Sequence, residues 1–338
     1  MKVLHYVGYP LAWARGGHAV QIHQTIAALE KLGVQNEWLD HARPDRQPGD
    51  LLQYWTRPPS DFHWQLARAQ GLRLVIQELH GPGASRPSWF WKIRRAQRRA
   101  LRSLLGANLY GHFGAGIYQH CAAAVAVTPL EAAYMIQVFD APRARVHFIP
   151  NGVDDVFFDD SVAPCVFDGL VYLGHICPRK NSLAVARAAK QARMAIQFVG
   201  DAPVAQDDYF RAFQAEVDNQ YVFWKGAISD RKSIAALLRG CRGVLLTSRH
   251  ESNPLSLLEA LACGKPVMAP DLPPLRSFYK DAVLFAPAPE DGRFIPLLKR
   301  FDAMCRRDYR QTFPVLSWTA VARRYADIYA AIMSGPAG

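Results

Sequence analysis

Residues 243–270 contain the pattern that most restricts the fold of this chain. Residues 244–246 form a short apolar run that fits a buried strand, and a polar turn follows it. Pro254 stands where a helix would begin, and the helical pattern of apolar residues ends at Gly264 before the next apolar strand at 266–269. The order strand, loop, helix and strand predicts a parallel α/β sheet. Open sheets of this class bind ligands in the loops after their strands.

Two carboxylates flank the start of this helix. Glu251 lies in the loop, and Glu259 lies eight positions later, inside the helix. The backbone N–H groups around Asn253, Pro254 and Leu255 have no helical acceptors and carry the positive end of the helix dipole, so they could hold a phosphate or diphosphate. Carboxylates would repel phosphate but suit sugar hydroxyls. The alternative is that both glutamates are ordinary solvated charges near a helix N-terminus.

The stretch ESNPLSLLEALACGKPVMA resembles the Glu-x7-Glu signature of retaining GT-B glycosyltransferases of the family-4 type, including the Glu-Ala-x-Ala-Cys-Gly-x-Pro-Val continuation. The resemblance implies that Glu251 faces the donor sugar as a catalytic residue and that Glu259 faces the ribose of the nucleotide. It also implies an α/β fold of two Rossmann-like, doubly wound parallel-sheet domains that face a central cleft. The alternation of strands and helices in both halves of the chain favours the same architecture.

Length and composition agree with two domains. A chain of 338 residues suits two domains of about 150 residues each. The six cysteines are scattered without paired or metal-type spacing, which indicates a reducing compartment. No apolar run is long enough to span a membrane and Met1 leads into a strand, so we expect no signal peptide and a cytoplasmic location. The net charge of +11 indicates an anionic partner; nucleotide sugars, anionic lipid surfaces and nucleic acid all qualify.

The first half of the chain offers two further site candidates. A strand at 3–7, a loop that ends in Gly16 and Gly17, and a helix at 18–32 form an order that can cradle phosphate. The resemblance implies that this glycine loop lies near the donor diphosphate. A strand at 74–79 leads to His80, which the resemblance places beside the donor sugar as a catalytic residue. The alternative for His80 is a loop histidine bonded to local backbone.

Residues 88–105 form a predicted basic amphipathic helix. From Leu79 to Leu130 the sequence contains no Asp or Glu. Trp89 and Trp91 stand at the start of the helix, and such aromatic residues beside cations suit an anionic membrane surface. The alternative is an ordinary helix with a solvated arginine face. Helical spacing places Ile93, Ala96, Ala100 and Leu104 on one face and Arg95, Arg98, Arg99 and Arg102 on the opposite face.

The second half contains GHICPRKN at 174–181. The family has an arginine here with a lysine five positions later, and both clamp the donor diphosphate. Lys180 matches the lysine, whereas His175 replaces the arginine, and an imidazole lacks the bidentate, permanently charged fork of a guanidinium. Arg179 and Arg249 are candidates to compensate. Trp224 resembles a family residue near the nucleotide base, although a core position suits it equally well.

These interpretations predict a division into domains and a function. The acceptor-side domain would span 1–160 and be completed by a C-terminal helix at 317–335, and the nucleotide-sugar domain would span 165–316. We expect a metal-independent hexosyltransferase without a cofactor, because no Asp-x-Asp occurs. The resemblance implies transfer from a nucleotide-diphosphate sugar, with retention, to a glycan or lipid-linked glycan of envelope or exopolysaccharide synthesis, and no nucleic-acid partner. The predicted catalytic residues are Glu251, His80 and Lys180, and the predicted donor-binding residues are Gly16, Gly17, His175, Arg179, Trp224, Asn253, Pro254, Leu255 and Glu259.

Two other classes remain open. A nucleotide-sugar epimerase or hydrolase would keep the donor site and release nucleotide without transferring a sugar. A non-catalytic sugar-nucleotide-binding protein at a membrane surface would bind nucleotide and leave the donor intact. For each class the expected location is the cytoplasm, with a peripheral position on the inner face of the membrane as the alternative. The substitution at His175 is the feature that keeps this second class open.

Overall fold

The computed structural model describes residues 1–13, 16–40, 46–58, 60–111, 116–204, 207–307 and 312–335. These residues form two compact units. The first unit comprises Met1–Asn151 and the C-terminal segment from Trp318, and the second comprises Gly152–Ser317. Each unit contains its own parallel sheet with helices packed on it.

The first unit is built on a parallel sheet of six strands in its described residues, in the order β2-β1-β3-β4-β5-β6. Two of its inner strands, at 51–54 and 123–126, are buried along their whole length, as expected where helices cover both faces of a sheet. The strands are β1 (Lys2–Tyr6), β2 (Gln35–Trp38), β3 (Leu51–Tyr54), β4 (Arg73–Gln77), β5 (Ala123–Ala126) and β6 (Val146–Phe148).

The helices of the first unit follow the strands in alternation. Helix α6 shows why its start lies where it does: Thr128 accepts a hydrogen bond from the backbone N–H of Glu131 at 3.3 Å, and Pro129 occupies the first helical turn. The helices are α1 (Gly17–Lys31), α2 (Phe62–Ala69), α3 (Gly81–Ala84), α4 (Ser88–Gly111, with non-helical backbone at Gly106), α5 (Ile117–His120) and α6 (Pro129–Phe139).

The second unit contains a six-stranded parallel sheet in its described residues, in the order β10-β9-β8-β11-β12-β13, and a separate parallel pair, β7 with β14. Buried apolar clusters cover both faces of the larger sheet. The strands are β7 (Gly152–Val153), β8 (Leu170–Leu173), β9 (Ile196–Val199), β10 (Val222–Trp224), β11 (Gly243–Leu245), β12 (Val267–Pro270), β13 (Leu284–Ala286) and β14 (Leu316–Ser317).

The helices of the second unit connect these strands, and a final helix returns to the first unit. That last helix packs on α1, and its Tyr329 hydroxyl donates a hydrogen bond to Gln53 of β3 at 3.0 Å. Across the described residues, no helix combines the length and apolar character needed to cross a membrane. The helices are α7 (Ser182–Ala192), α8 (Asp208–Gln214), α9 (Arg231–Gly240), α10 (Leu255–Ala262), α11 (Pro273–Tyr279), α12 (Phe294–Cys305) and α13 (Trp318–Ser334).

The structure corrects one expectation about the chain's organisation. The boundary predicted at 161–164 lies instead after Asn151, because Val153, Phe157 and Val162 are buried in the core of the second unit. Further along the second unit, residues 273–279 form helix α11. Two prolines start this helix, and Leu275 and Tyr279, four positions apart, are both buried.

Helix α4 packs through the face that was expected to be solvated. Arg95 donates two hydrogen bonds to Asp140 at 2.9 and 2.6 Å, and the guanidinium of Arg98 lies 4.3 Å from the centre of the Phe139 ring. Both partners stand at the end of α6, where the negative end of a helix dipole favours cations. The expectation that the arginines form the outer face is therefore wrong for Arg95 and Arg98, whereas Arg99 and Arg102 stay exposed.

Candidate active site

Lys180 is held at the carboxyl end of strand β8 in the second unit. Its backbone carbonyl accepts hydrogen bonds from the Tyr172 hydroxyl of β8 at 2.7 Å and from the Thr247 hydroxyl at 3.1 Å, just beyond β11. The side chain is mostly buried, with 14% of it exposed. Two neighbouring strands thus fix the backbone of Lys180, and its ammonium group points to the edge of the sheet where ligands bind in α/β folds.

Glu251 is the carboxylate that receives this cation. The Nζ atom of Lys180 donates a hydrogen bond to Oε1 of Glu251, and an Nη1 atom of Arg179 lies 3.7 Å from the same oxygen. Only 10% of the Glu251 side chain is exposed. The structure therefore brings together three of the predicted residues, Lys180, Arg179 and Glu251, in one charged cluster.

His175 lies on a loop whose backbone approaches the next strand closely. Its Nδ1 atom is 3.3 Å from the carbonyl oxygen of Asp201. Gly200 has a φ of 142°, and a Cβ atom there would lie 2.2 Å from the carbonyl oxygen of Gly174, so no larger residue fits this crossing. The imidazole is half-buried beside the strand end. His175 therefore lies in the same loop as Lys180, but its imidazole does not provide a second permanent cation.

Arg249 is engaged by groups of its own. It donates hydrogen bonds to Glu290 and, at 3.3 Å, to the side-chain oxygen of Asn181. Its backbone N–H bonds to the carbonyl of Arg179 at 2.9 Å. A pocket of about 350 Å³ lies beside this pair, lined by the start of α7 and by Tyr209. Arg249 therefore ties the loop after β11 to the Lys180 loop through its backbone, while a carboxylate holds its guanidinium.

The start of helix α10 has the geometry that the sequence predicted. The helix begins at Leu255, and Pro254 precedes it in an extended conformation. Asn253 is buried and its side-chain amide donates a hydrogen bond to the Tyr279 hydroxyl at 3.1 Å. The N–H groups of the first helical turn have no acceptor within the helix, so this end of α10 can receive an anion.

Glu259 belongs to a separate, buried ion network. Its carboxylate accepts a hydrogen bond from Arg231, whose Nε atom donates another to Asp154 at 2.7 Å. The guanidinium also lies 4.7 Å from the centre of the Phe157 ring. Burial raises the pKa of Glu259, although the charge of Arg231 lowers it. Burial alone would lower the pKa of Arg231, but the two carboxylates outweigh it and raise the value.

Trp224 is half-buried and packs against a hydrophobic cluster at the end of β10. Its indole N–H donates a hydrogen bond to the carbonyl of Gly200 at 2.9 Å, and its ring meets Phe210 edge-on with centroids 5.3 Å apart. Of the two interpretations that the sequence left open, the structure shows the packing one, because the indole contacts the hydrophobic cluster under α8. A contact with a base stays a prediction.

Gly16 and Gly17 lie in the first unit, at the start of α1. Gly16 is the residue before the helix, and a Cβ atom added to it would meet no heavy atom of the described residues beyond its chain neighbours within 4 Å. Ala14 and Arg15 of the same predicted loop lie outside the described residues. Space above Gly16 agrees with an approach of a ligand to the backbone, which the resemblance implies.

His80 is buried in the first unit. Its backbone N–H bonds to the Glu131 carboxylate at 2.7 Å, and its Nε2 atom lies 3.0 Å from the Tyr118 hydroxyl. That hydroxyl donates to Glu78, which lies 3.8 Å from Arg57. Burial lowers the pKa of His80. The charge of Glu78 opposes this shift, and the charge of Arg57 adds to it, so the site favours the neutral imidazole. The alternative of a histidine bonded to local backbone is therefore not observed, because the imidazole of His80 contacts the side chain of Tyr118.

Sequence inspection missed several of these partners. Arg231 and Tyr118 lie far along the chain from Glu259 and His80, so no spacing rule connects them. Glu131 carried one recognisable signal, since it stands three positions after Thr128 at the start of α6 and forms a capping pair with it. That signal predicts a helix start but gives no indication of a bond to His80.

Two family descriptions match adjoining parts of the chain. "Glycosyl transferases group 1" matches residues 168–294, and "Glycosyltransferase Family 4" matches residues 62–157. A D-inositol 3-phosphate glycosyltransferase from Streptosporangium roseum is 26% identical over 240 residues, which cover 62% of this chain and 55% of the relative. A protein of the same name from Jonesia denitrificans is 31% identical over 182 residues, which cover 46% and 42%. The chain spans about half the length of the curated relatives it matches.

Solved structures show the same architecture over nearly the whole chain. The Anabaena protein HepE in complex with UDP superposes with a TM-score of 0.65 at 16% identity, covering 98% of this chain and 100% of that one. Sucrose-phosphate synthase from Thermosynechococcus elongatus gives a TM-score of 0.67 at 16% identity, with 98% and 99% covered. At such identities the likeness concerns the fold alone. Together with the two family matches, it identifies this chain as a GT-B glycosyltransferase of the group 1, family-4 type.

Proposed function

We propose that this glycosyltransferase transfers a hexose from a nucleotide-diphosphate sugar to an acceptor with retention of configuration. The observation that carries the proposal is the charged cluster of Lys180, Arg179 and Glu251 at the ends of β8 and β11, beside the start of α10. A cation, a helix N-terminus and a carboxylate are the groups that a diphosphate and a neighbouring sugar require.

The donor is expected to occupy this cluster through its diphosphate. Lys180 supplies a point charge, and the N–H groups of the first turn of α10 supply a second positive pole. Glu251 would then accept hydrogen bonds from sugar hydroxyls. UDP sugars are the first donors to test, because the structural neighbour HepE was solved with UDP. Gly16 and Gly17 are proposed as donor-binding residues, as the resemblance implies.

Chemistry with retention requires the leaving diphosphate to be stabilised. As the bond from sugar to diphosphate breaks, negative charge develops on the diphosphate, and Lys180 with the α10 N-terminus is placed to stabilise it. The acceptor hydroxyl would attack from the face that the diphosphate leaves, and the diphosphate oxygen would take the hydroxyl proton. No protein nucleophile is needed in this scheme, and none is assigned.

The roles of His80 and Glu259 extend this proposal. The resemblance implies a contact of His80 with the donor sugar, which requires its imidazole to turn away from Tyr118. For Glu259, a contact with ribose requires Arg231 to yield one of its bonds. Both side chains are buried and bonded to protein groups. The geometry therefore supports a positioning role for His80 and Glu259 in addition to the contacts that the resemblance implies.

The acceptor is proposed to be a glycan or a lipid-linked glycan of envelope or exopolysaccharide synthesis, reached from the cytoplasmic side. The net charge of +11 supports an anionic acceptor or an anionic surface. The named activity of the two curated relatives points to a phosphorylated polyol as a further acceptor class, although the chain matches only about half of each relative.

Incubation with UDP, GDP and ADP sugars tests the proposal. Thermal-shift screening would identify the donor, and release of nucleotide together with a glycosylated product would establish transfer. Proton NMR of the new anomeric centre would establish retention. Nucleotide release without a transferred sugar would instead identify a hydrolase or epimerase. Binding without turnover across the donors and acceptors would identify a non-catalytic binding protein, and either result would contradict the proposal.

A further inference from the structure

Helix α4 carries a row of exposed apolar side chains on the face turned away from the first unit. Exposure reaches 61% for Trp89, 46% for Ile93 and 81% for Leu104. Ala96 and Ala100, which lie between them on the helix surface, are exposed as well. These five residues are called the outer face of α4.

The inner face of α4 explains why the apolar row points outward. Trp91 is buried against the unit, with its indole N–H donating to the carbonyl of Gly83 at 3.2 Å. Arg95 and Arg98 contact Asp140 and Phe139 at the end of α6. These contacts fix the rotation of the helix about its axis, so the outer face cannot turn inward without breaking them.

The outer face is long and continuous. From Trp89 to Leu104 the helix rises roughly 22 Å at 1.5 Å per residue. It ends where Gly106 takes a φ of 70° and leaves the helical conformation. An uninterrupted apolar row of this length on an exposed helix exceeds the scattered apolar residues of an ordinary protein surface.

Cations border this apolar row along the helix. Helical spacing places Lys92 and Arg99 next to the row; Lys92 is exposed, and Arg99 keeps 62% of its side chain exposed. The sequence from Leu79 to Leu130 contains no Asp or Glu. A two-fold contact between copies would bring two copies of the same cation-bordered row together, with no carboxylate in either segment to neutralise the cations. An anionic bilayer instead offers an apolar interior to the row and negative headgroups to its borders.

We propose that the outer face of α4 inserts into the interface of an anionic lipid bilayer and docks the first unit on it. Apolar insertion of Trp89, Ile93 and Leu104 provides the contact, and the flanking cations orient it. The proposal builds on the proposed lipid-linked acceptor, because docking would bring the enzyme to the surface in which such an acceptor is anchored. The arginines of the inner face have no part in the contact.

Vesicle sedimentation with the full chain tests this docking. The probes are vesicles of phosphatidylcholine alone and of phosphatidylcholine with phosphatidylglycerol. The double variant Ile93→Gln, Leu104→Gln should bind the anionic vesicles about tenfold more weakly than the wild type or worse. The matched control is Leu66→Gln, Val166→Gln, because these residues are 47% and 81% exposed outside α4. The control should bind like the wild type.

Each result decides the proposal. Strong binding to anionic vesicles that is lost only in the α4 double variant supports it, as does a blue shift of tryptophan fluorescence on binding. Equal binding of the wild type and the double variant would overturn it, and so would negligible binding of both. A wild-type dimer in analytical ultracentrifugation that the double variant abolishes, together with unchanged vesicle binding, would assign the outer face to a second copy.

The same proteins separate this inference from the proposed function. Donor turnover with a water-soluble acceptor does not require the bilayer, so the double variant should retain it. Vesicle binding without turnover in the wild type would contradict the glycosyltransferase proposal and leave the docking intact. Turnover without vesicle binding would contradict the docking alone.

Discussion

The Nζ atom of Lys180 donates a hydrogen bond to the Oε1 atom of Glu251, which joins the loop after β8 to the loop after β11. In this state the cation proposed to bind the donor diphosphate is occupied by the carboxylate proposed to bind the sugar. A diphosphate has to compete with Glu251 for Lys180. Donor binding and release of Glu251 toward the sugar would then be a single event.

The first prediction separates the two partners. Lys180→Ala should weaken binding of the UDP product by tenfold or more, because a charge-assisted bond to phosphate is lost. Glu251→Gln should keep or tighten that binding, since Lys180 no longer has a carboxylate to hold it, and should lower kcat by about a hundredfold. Calorimetry and initial rates measure both effects, with Glu290→Gln as the control. Weaker nucleotide binding in Glu251→Gln than in Lys180→Ala would contradict the competition.

The second prediction concerns Glu259. Glu259→Gln should lower the free energy of unfolding by about 1–3 kcal/mol, because it leaves Arg231 with one carboxylate fewer in a buried site. Donor affinity should change by less than about tenfold. Chemical denaturation and calorimetry provide the two readings. The exposed pair of Glu290 with Arg249 is the control, and Glu290→Gln should change stability by no more than about 0.5 kcal/mol. Unchanged stability with a large loss of affinity would instead favour the ribose contact.

Local periodicity was sufficient to predict the elements that hold the Lys180 and Glu251 loops. The strand predicted at 244–246 is observed as β11 (Gly243–Leu245), and helix α10 starts after Pro254 as its composition indicates. These elements have strong apolar patterns and clear breakers, so the sequence determines them over short distances. Strand β2, with the sequence QNEW, lacks such a pattern and was not predicted. Its extended conformation depends on pairing with β1, which local sequence does not indicate.

Long-range contacts account for the rest. The amphipathic pattern of α4 defines two faces, but Asp140 and Phe139 decide which face packs inward, and they lie about forty positions further along. The bonds of Glu259 to Arg231 and of His80 to Tyr118 likewise join distant residues. A single sequence shows the chemical type of each residue, but it does not show which distant residues contact each other.

The third prediction tests the packing of α4. Asp140→Asn should lower stability by about 0.5–1 kcal/mol at low salt, because both Arg95 and Arg99 lose their carboxylate. The asparagine tolerates the left-handed backbone at this position, where φ is 51°. The effect should shrink as salt is added. Thermal unfolding at two ionic strengths measures it, with Asp208→Asn on an almost fully exposed pair as the control. A salt-independent loss would rule out an ion-pair origin.

The fourth prediction addresses the buried histidine network. Tyr118→Phe removes the hydroxyl that bonds His80 and donates to Glu78. If His80 acts on the donor sugar, kcat should fall about tenfold while KM for the donor changes little, because orientation is lost and the diphosphate contacts remain. The matched control is Tyr209→Phe, which removes a hydroxyl in the second unit near α7. An unchanged kcat in Tyr118→Phe would remove the network from the reaction.

The last prediction is a loss of stability in acid through His5. Its Nδ1 atom accepts a hydrogen bond from the Trp55 indole at 3.2 Å, and its Nε2 atom pairs with the Asn36 side-chain oxygen at 2.8 Å. This arrangement requires the neutral imidazole. Burial lowers the pKa of His5 to about 4, although the bond to Asn36 raises it.

The sign of the effect follows from the difference between the folded and unfolded pKa values. Above about pH 6.5 both states are neutral at His5, and stability is complete. As the pH falls toward 4, the unfolded chain takes up a proton that the folded chain refuses, so stability declines. At pH 5 the loss should be about 2 kcal/mol from this residue. Unfolding between pH 7.5 and about 4.5 should therefore show a pH-dependent loss of stability that His5→Gln reduces. An identical slope in the wild type and His5→Gln would show that the buried imidazole accepts its proton within the fold.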